Sequence, residues 1–224
     1  MPSEEAVQIK ALLIDDDDFT RLLLSSTLKD LGYAVVADAA TAADAIKAAT
    51  DHQPDLAIID LDLGEGPTGI DVAHGLRRIL PGIALVMLSS YEEPRLIKAK
   101  QLELPEGTVY VVKKVVGTPE ILEKAISSAL NQEGFTSVVV AEDNKVKRVS
   151  RLSDSQVEIM RLVASGYTNA AIAKRQFLTE ASVGKAVARL IRQLNIAASE
   201  EQNQRVLIAQ AYYESIGPST LRRG

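Results

Sequence analysis

Residues 10–18 read KALLIDDDD, five strand-like residues running straight into four adjacent aspartates. Four neighbouring like charges repel, so their crowding at the end of an apolar run asks what offsets it: a cation, a helix end or solvent. The continuous run of branched aliphatics suits a strand covered on both faces, the pattern of a parallel sheet. Four more such runs follow, AVVA (34–37), LAII (56–59), ALVML (84–88) and VYVV (109–112). Helical patterns over 18–31, 41–50, 69–80, 92–102 and 118–131 separate and follow them. Gly32 stands where the first helix should stop, Thr41 and Thr118 are N-cap signals, and Pro119 falls at a first helical position. Strand and helix alternating five times predict an α/β domain over 8–131 with a doubly wound, five-stranded parallel sheet.

Composition limits the alternatives. The 224 residues are 46% hydrophobic and 25% charged, ordinary for a globular chain of one or two domains. Without cysteine there is neither a disulfide nor a thiolate metal site, and two histidines do not make a His-rich zinc centre. The acidic start MPSEEAVQIK lacks a signal-peptide apolar run, and no stretch approaches the ~18 apolar residues of a membrane span. A cytoplasmic protein is expected. Charge is divided: residues 1–131 hold 21 acids and 12 bases, whereas 144–195 hold 10 bases and 3 acids. A basic patch behind an acidic front predicts two domains with different partners, the second attracting a polyanion.

Residues 132–151 are polar and irregular, with one short apolar run at 138–140, and read as a linker that holds at most a local strand. The segment 152–217 is helical. Ser153 with Gln156, and Ser199 with Gln202, are capping-box patterns. Thr179 caps a helix with Val183, Val187, Leu190, Ile191 and Leu194 on one face, and Gly217–Pro218 stop the last helix. A short helix from Asn169, a brief connection and a longer amphipathic helix form the helix-turn-helix plan.

In a doubly wound sheet, sites form where loops leave the carboxyl ends of strands. Asp15 and Asp16 follow strand one, Asp60 strand three, Ser89 strand four and Lys113 strand five. Clustered carboxylates suit a hard cation such as Mg²⁺. A carboxylate is also a nucleophile for phosphoryl transfer, where catalysis is mostly positioning and charge neutralisation. The bland alternative, five unrelated loop caps and surface charges, does not account for their order along the strands.

Residues 8–131, through LLIDDDDFTR, PDLAIIDLDLGEG, VMLSS and YVVKK, resemble a response-regulator receiver domain, a flavodoxin-like fold. The resemblance implies Asp60 as phosphoacceptor and Mg²⁺ bound by Asp15, Asp16, Asp60 and the backbone carbonyl of Asp62. It implies Ser89, Lys113 and the aromatic Tyr110 as the groups that sense the phosphoryl, with Arg21 at the usual spacing. The loop after Asp60, DLDLGEGPTG, is Gly-rich and carries Glu65 where the family commonly has a shorter Met-Pro form. DLDLG also fits the Asp-x-Asp start of haloacid-dehalogenase-like phosphatases, but those place it after their first strand, and here two strands precede it.

Residues 152–196 resemble the tetrahelical LuxR/NarL/FixJ-type DNA-binding domain, through the opening Leu-Ser, Glu158, Gly166, the Asn169–Ile172–Ala173 run and Thr179–Glu180 with Ser182–Val183. The resemblance implies DNA contacts from Thr179, Ser182, Gly184, Lys185, Ala188, Arg189 and Arg192. It makes the helix over 200–216 a dimerisation element through Val206, Leu207, Ala209, Gln210 and Tyr213. Gly184 replaces a usual lysine, Ala186 a usual histidine, and Ala188 a position that is often basic. The combined expectation is a two-component response regulator, a homodimer and not an enzyme, phosphorylated by a histidine kinase and regulating transcription by binding DNA. The alternative is a receiver-controlled adaptor whose helical domain binds protein. In the first helix, Asp18 is the expected N-cap, with Asp17 and Asp18 both favouring the positive helix end.

Overall fold

The computed structural model describes residues 8–91, 94–97, 102–113, 118–131, 138–139, 151–198 and 201–216. Two compact units emerge, one from residues up to 89 with 102–139, the other from 90–101 with 140 onward.

The first unit alternates β1 (Lys10–Ile14), α1 (Asp18–Asp30), β2 (Ala34–Ala39), α2 (Ala42–His52), β3 (Leu56–Asp60), α3 (Gly69–Ile79), β4 (Ala84–Ser89), β5 (Val109–Val112) and α4 (Pro119–Leu130). The sheet is wholly parallel, in the order β2-β1-β3-β4-β5. This is the expected doubly wound topology, whose order reverses beside β1. A two-residue β6 (Val138–Val139), inside the segment read as a linker, adds a sixth strand beside β5. Every residue of β3, β4 and β5 is buried, as continuous aliphatic runs require. Ala11, Leu13, Ile58, Val86 and Val111 share one face with Leu28 of α1 and Leu122, Ala125 and Ile126 of α4.

Local chemistry sets the helix ends. Asp17, not Asp18, caps α1: its carboxylate accepts from the Thr20 N–H at 2.7 Å, while Asp18 is the first helical residue and pairs with Arg21. A carboxylate at the N-cap reaches the N–H two or three residues on, which Asp18 cannot do from inside the turn. Thr41 caps α2, which runs two residues beyond expectation to a left-handed Gln53 (φ 47°). Thr68 and Asp71 close a capping box on α3. Thr118 is the α4 N-cap with Pro119 next. Of the helix expected over 92–102, residues 94–97 and 102 are described: Pro94–Leu96 form a 3₁₀ turn and Leu102 is irregular, and the remainder lies outside the described residues.

The second unit holds α5 (Asp154–Ala164), α6 (Asn169–Gln176), α7 (Glu180–Gln193) and α8 (Gln204–Ser215). Its core joins Val157, Met160, Ile172, Val183, Leu190, Leu194 and Ile208. The Ser153–Gln156 capping box forms as read. Thr168 caps α6 and Thr179 caps α7. The last helix starts later than expected, at Gln204, because Asn203 caps it by accepting from the Arg205 N–H at 2.9 Å. Gln202 lies before that cap, and Ser199, Gly217 and Pro218 lie outside the described residues. Within this unit Arg95 donates to the Leu152 carbonyl (2.7 Å) and to Asp154 (3.0 Å). Among the described residues no helix is long and apolar enough to cross a membrane.

Candidate functional site

The carboxyl ends of β1, β3, β4 and β5 bring Asp15, Asp60, Ser89 and Lys113 together. Asp15 is 2% exposed and Asp60 9%, while Asp16 is half-buried. Carboxylate oxygens of the three acids lie within 4.8 Å of one another, a donor set able to hold a metal ion. The Lys113 ammonium donates to Asp15 Oδ2 at 2.7 Å and to Asp60 Oδ2 at 2.9 Å, bridging the first and third strand ends. Lys113 is itself fixed by its backbone N–H on the Ser89 carbonyl, at 2.6 Å.

The neighbouring backbone holds these carboxylates in place. Asp15 Oδ1 accepts from the Asp17 N–H at 2.9 Å, and the Asp15 carbonyl accepts from Arg21 at 2.7 Å. Arg21 in turn reaches Asp38 at 2.9 Å. On the other side, the Asp62 N–H approaches Asp60 Oδ1 at 3.4 Å. A β-carbon on Gly69 would lie 2.1 Å from the Asp60 carbonyl oxygen, so α3 approaches the β3 end as only glycine allows. Ser89 and Tyr110 are fully buried, Tyr110 at the centre of β5. In the loop, Asp62 accepts from the Gly64 N–H at 3.2 Å and Glu65 is exposed, outside the cluster of three acids.

Burial pushes the Asp60 carboxyl up to about 6; Lys113 opposes the rise and the Asp15 carboxylate adds to it. Burial pulls Lys113 down, but Asp60 and Asp15 outweigh it and its pKa ends above the ordinary value. A buried carboxylate beside an ammonium and two further acids belongs to a donor set able to take one more cation. Its oxygens could then be ionised nucleophiles.

In the helical unit, Lys185, Ala188, Arg189 and Arg192 are all exposed and follow i, i+3, i+4, i+7 along α7. The opposite face carries Val183, Val187 and Leu190 into the core. Thr179 and Ser182 are exposed, with their hydroxyls joined at 2.8 Å as part of the cap. Gly184 is half-buried, and a β-carbon there would meet only Asn169 Nδ2, at 3.9 Å. On α8, Val206, Gln210 and Tyr213 are exposed, while Leu207 and Ala209 are half-buried around the inward Ile208. Glu158 holds Arg161 at 2.6 Å and Gln176 at 3.2 Å, which ties α5 to α6.

Among the exposed apolar side chains without a role in the sequence, Phe177 is the most exposed. Phe177, at the end of α6, is 96% exposed and left-handed (φ 55°). Its signal was present: a phenylalanine where a helix C-cap ordinarily takes glycine or asparagine.

Residues 11–126 match the family model described as the response regulator receiver domain. Residues 150–202 match that of bacterial regulatory proteins of the luxR family. Among relatives, the response regulator protein VraR of Staphylococcus saprophyticus is 30% identical over 209 residues, covering 90% of this chain and 96% of that protein. VraR of Staphylococcus aureus is 28% identical over 207 residues, with the same coverage. Among solved structures, RcsB dimers bound to two parallel DNAs align with a TM-score of 0.60 at 18% identity, covering 93% of this chain and 99% of that one. RcsB from Salmonella enterica serovar Typhimurium, bound to a promoter in the presence of a phosphomimetic, aligns with a TM-score of 0.54 at 20% identity, covering 92% and 99%. At these identities the structural likeness speaks for the fold.

Proposed function

Since this chain belongs to the response regulators that join a receiver domain to a luxR-family regulatory domain, and regulates transcription rather than turning over a substrate, we propose that Asp60 is its phosphoacceptor and that α7 is its DNA-reading helix. A partner histidine kinase supplies the phosphoryl group. An Asp60 carboxylate oxygen attacks phosphorus, the P–N bond of the phosphohistidine breaks, and the imidazole nitrogen keeps the electron pair and takes up a proton. The product is an acyl phosphate on Asp60.

Asp15, Asp16, Asp60 and the Asp62 carbonyl would be the oxygen donors for Mg²⁺, a fit supported by three clustered acidic side chains, two of them paired with one ammonium. When bound, the ion neutralises charge on the phosphoryl oxygens. Lys113 leaves its bridge to follow the new charge, Ser89 donates to a phosphoryl oxygen, and Tyr110 repacks, a two-state change of a buried core.

The helical unit takes duplex DNA through Thr179, Ser182, Gly184, Lys185, Ala188, Arg189 and Arg192. The exposed basic stripe supports this reading. Pairing of two copies through Val206, Gln210 and Tyr213 of α8 would present two such helices. The domains are assigned to 8–131 and 152–217 around a linker, in a cytoplasmic protein.

The observation that carries the receiver half is Lys113 bridging Asp15 and Asp60 at 2.7 and 2.9 Å. Incubation with a small-molecule phosphodonor and Mg²⁺, followed by intact-mass measurement, tests it. Wild type gains one phosphoryl group; Asp60→Asn and Asp16→Ala gain none. Equal labelling of wild type and Asp60→Asn contradicts the assignment.

A further inference from the structure

We propose that Phe177 is a specificity-determining residue that reads the 5-methyl group of a thymine at the mouth of the DNA-binding helix, an inference that rests on the DNA-binding reading above. The side chain is 96% exposed, and Leu178 beside it is also exposed. Neither solvent nor backbone geometry favours phenylalanine here. The residue is left-handed, and the other two non-glycine residues in that region among the described residues, Gln53 and Asn195, are both polar. The position is firmly held. The Phe177 and Leu178 N–H groups both donate to the Ala173 carbonyl, and Thr179 caps α7 immediately after. The ring is therefore presented from a fixed backbone at the N-terminal end of α7, the end of a recognition helix that contacts base edges.

The surroundings favour DNA over an apolar protein partner. Residues 174–192 carry five bases, Lys174, Arg175, Lys185, Arg189 and Arg192, and a single acid, Glu180. Those bases are exposed. Such a surface attracts phosphates. Of the α7 residues placed on the DNA, Lys185, Arg189 and Arg192 can hydrogen-bond guanine edges, and none of them lies in the first turn. Thr179 and Ser182 hydroxyls are joined to each other, and Ala181, Gly184 and Ala188 have nothing to donate. Ahead of that first turn the exposed side chain offered for direct readout, Phe177, is apolar, and in the major groove the thymine methyl is the apolar mark.

The test uses the full chain and a duplex library with a randomised core. Sites retained by wild type are remade with each thymine replaced singly by deoxyuracil, which removes only the methyl group. Wild type is expected to lose about fourfold in affinity at one thymine per half-site, the loss of one buried methyl. Phe177→Asn, which suits the left-handed backbone, is expected to bind thymine and uracil forms alike, and Phe177→Leu to keep part of the discrimination. The inference is overturned if no single replacement changes wild-type affinity by as much as twofold, or if Phe177→Asn discriminates as wild type does. If wild type retains no duplex at all, the DNA-binding reading falls and this inference with it.

Discussion

The four aspartates of 15–18 have different tasks. Asp15 is buried and paired with Lys113, Asp16 lies among the candidate metal donors, and Asp17 caps α1. Asp18 forms an exposed pair with Arg21, an interaction of small value. Asp17→Ala is therefore expected to lower the urea midpoint clearly more than Asp18→Ala, with Mg²⁺ affinity retained in both. Asp16→Ala is expected to lose the metal. The Thr20 N–H holds the Asp17 carboxyl below its ordinary pKa, so its contribution is present above the usual aspartate value and disappears as pH falls through the folded one.

Asp60 behaves with the opposite sign. Its folded pKa of about 6 lies above the unfolded 3.8, so the native state binds the extra proton between them. Without divalent cation, stability attributable to Asp60 is full below the unfolded value and is lost as pH rises through about 6. The loss is on the order of 2–3 kcal/mol. Urea titrations in chelator from pH 4.5 to 7.5 check this. Wild type should fall relative to Asp60→Asn across the window, and parallel curves would show that the carboxyl is not perturbed.

At the scale of elements, two glycines behave oppositely. Gly69→Ala drives a methyl into the Asp60 carbonyl and is expected to cost on the order of 3 kcal/mol, with poor phosphorylation. Gly184→Ala meets only ordinary contact and is expected to gain about 1 kcal/mol through helix propensity. Thermal unfolding of both variants decides it; destabilisation by Gly184→Ala would mean that α7 needs a closer neighbour there. The five strands were legible because buried parallel strands are continuous aliphatic runs, and the caps Thr41, Ser153 and Thr179 because short hydroxyls precede amphipathic periods. Within the segment expected to be helical, Pro94–Leu96 make a tighter turn with Arg95 anchored on the Leu152 carbonyl, a tertiary contact that periodicity does not encode. The late start of α8 is set by Asn203, whose side chain accepts from the Arg205 N–H. The cluster of Asp15, Asp16, Asp60 and Lys113 was readable from strand ends alone, whereas the role of Phe177 depended on its exposure and its left-handed backbone.

For the whole molecule, charge and exposed surface set the partners. Val206, 63% exposed at the start of α8, is expected to sit in the contact between two copies. Sedimentation of Val206→Glu with the phosphoryl mimic present should give monomer where wild type gives dimer; an unchanged dimer would move the contact elsewhere. The central claim is that charge placed at Asp60 governs DNA binding by α7. It is tested most directly by titrating genomic fragments selected by the chain, at several salt concentrations, with and without beryllofluoride and Mg²⁺, for wild type and Asp60→Asn. Wild type should bind more tightly with the mimic and with a steep salt dependence, while Asp60→Asn should not respond. An identical response in the two proteins, or binding without salt dependence or sequence preference, would contradict it.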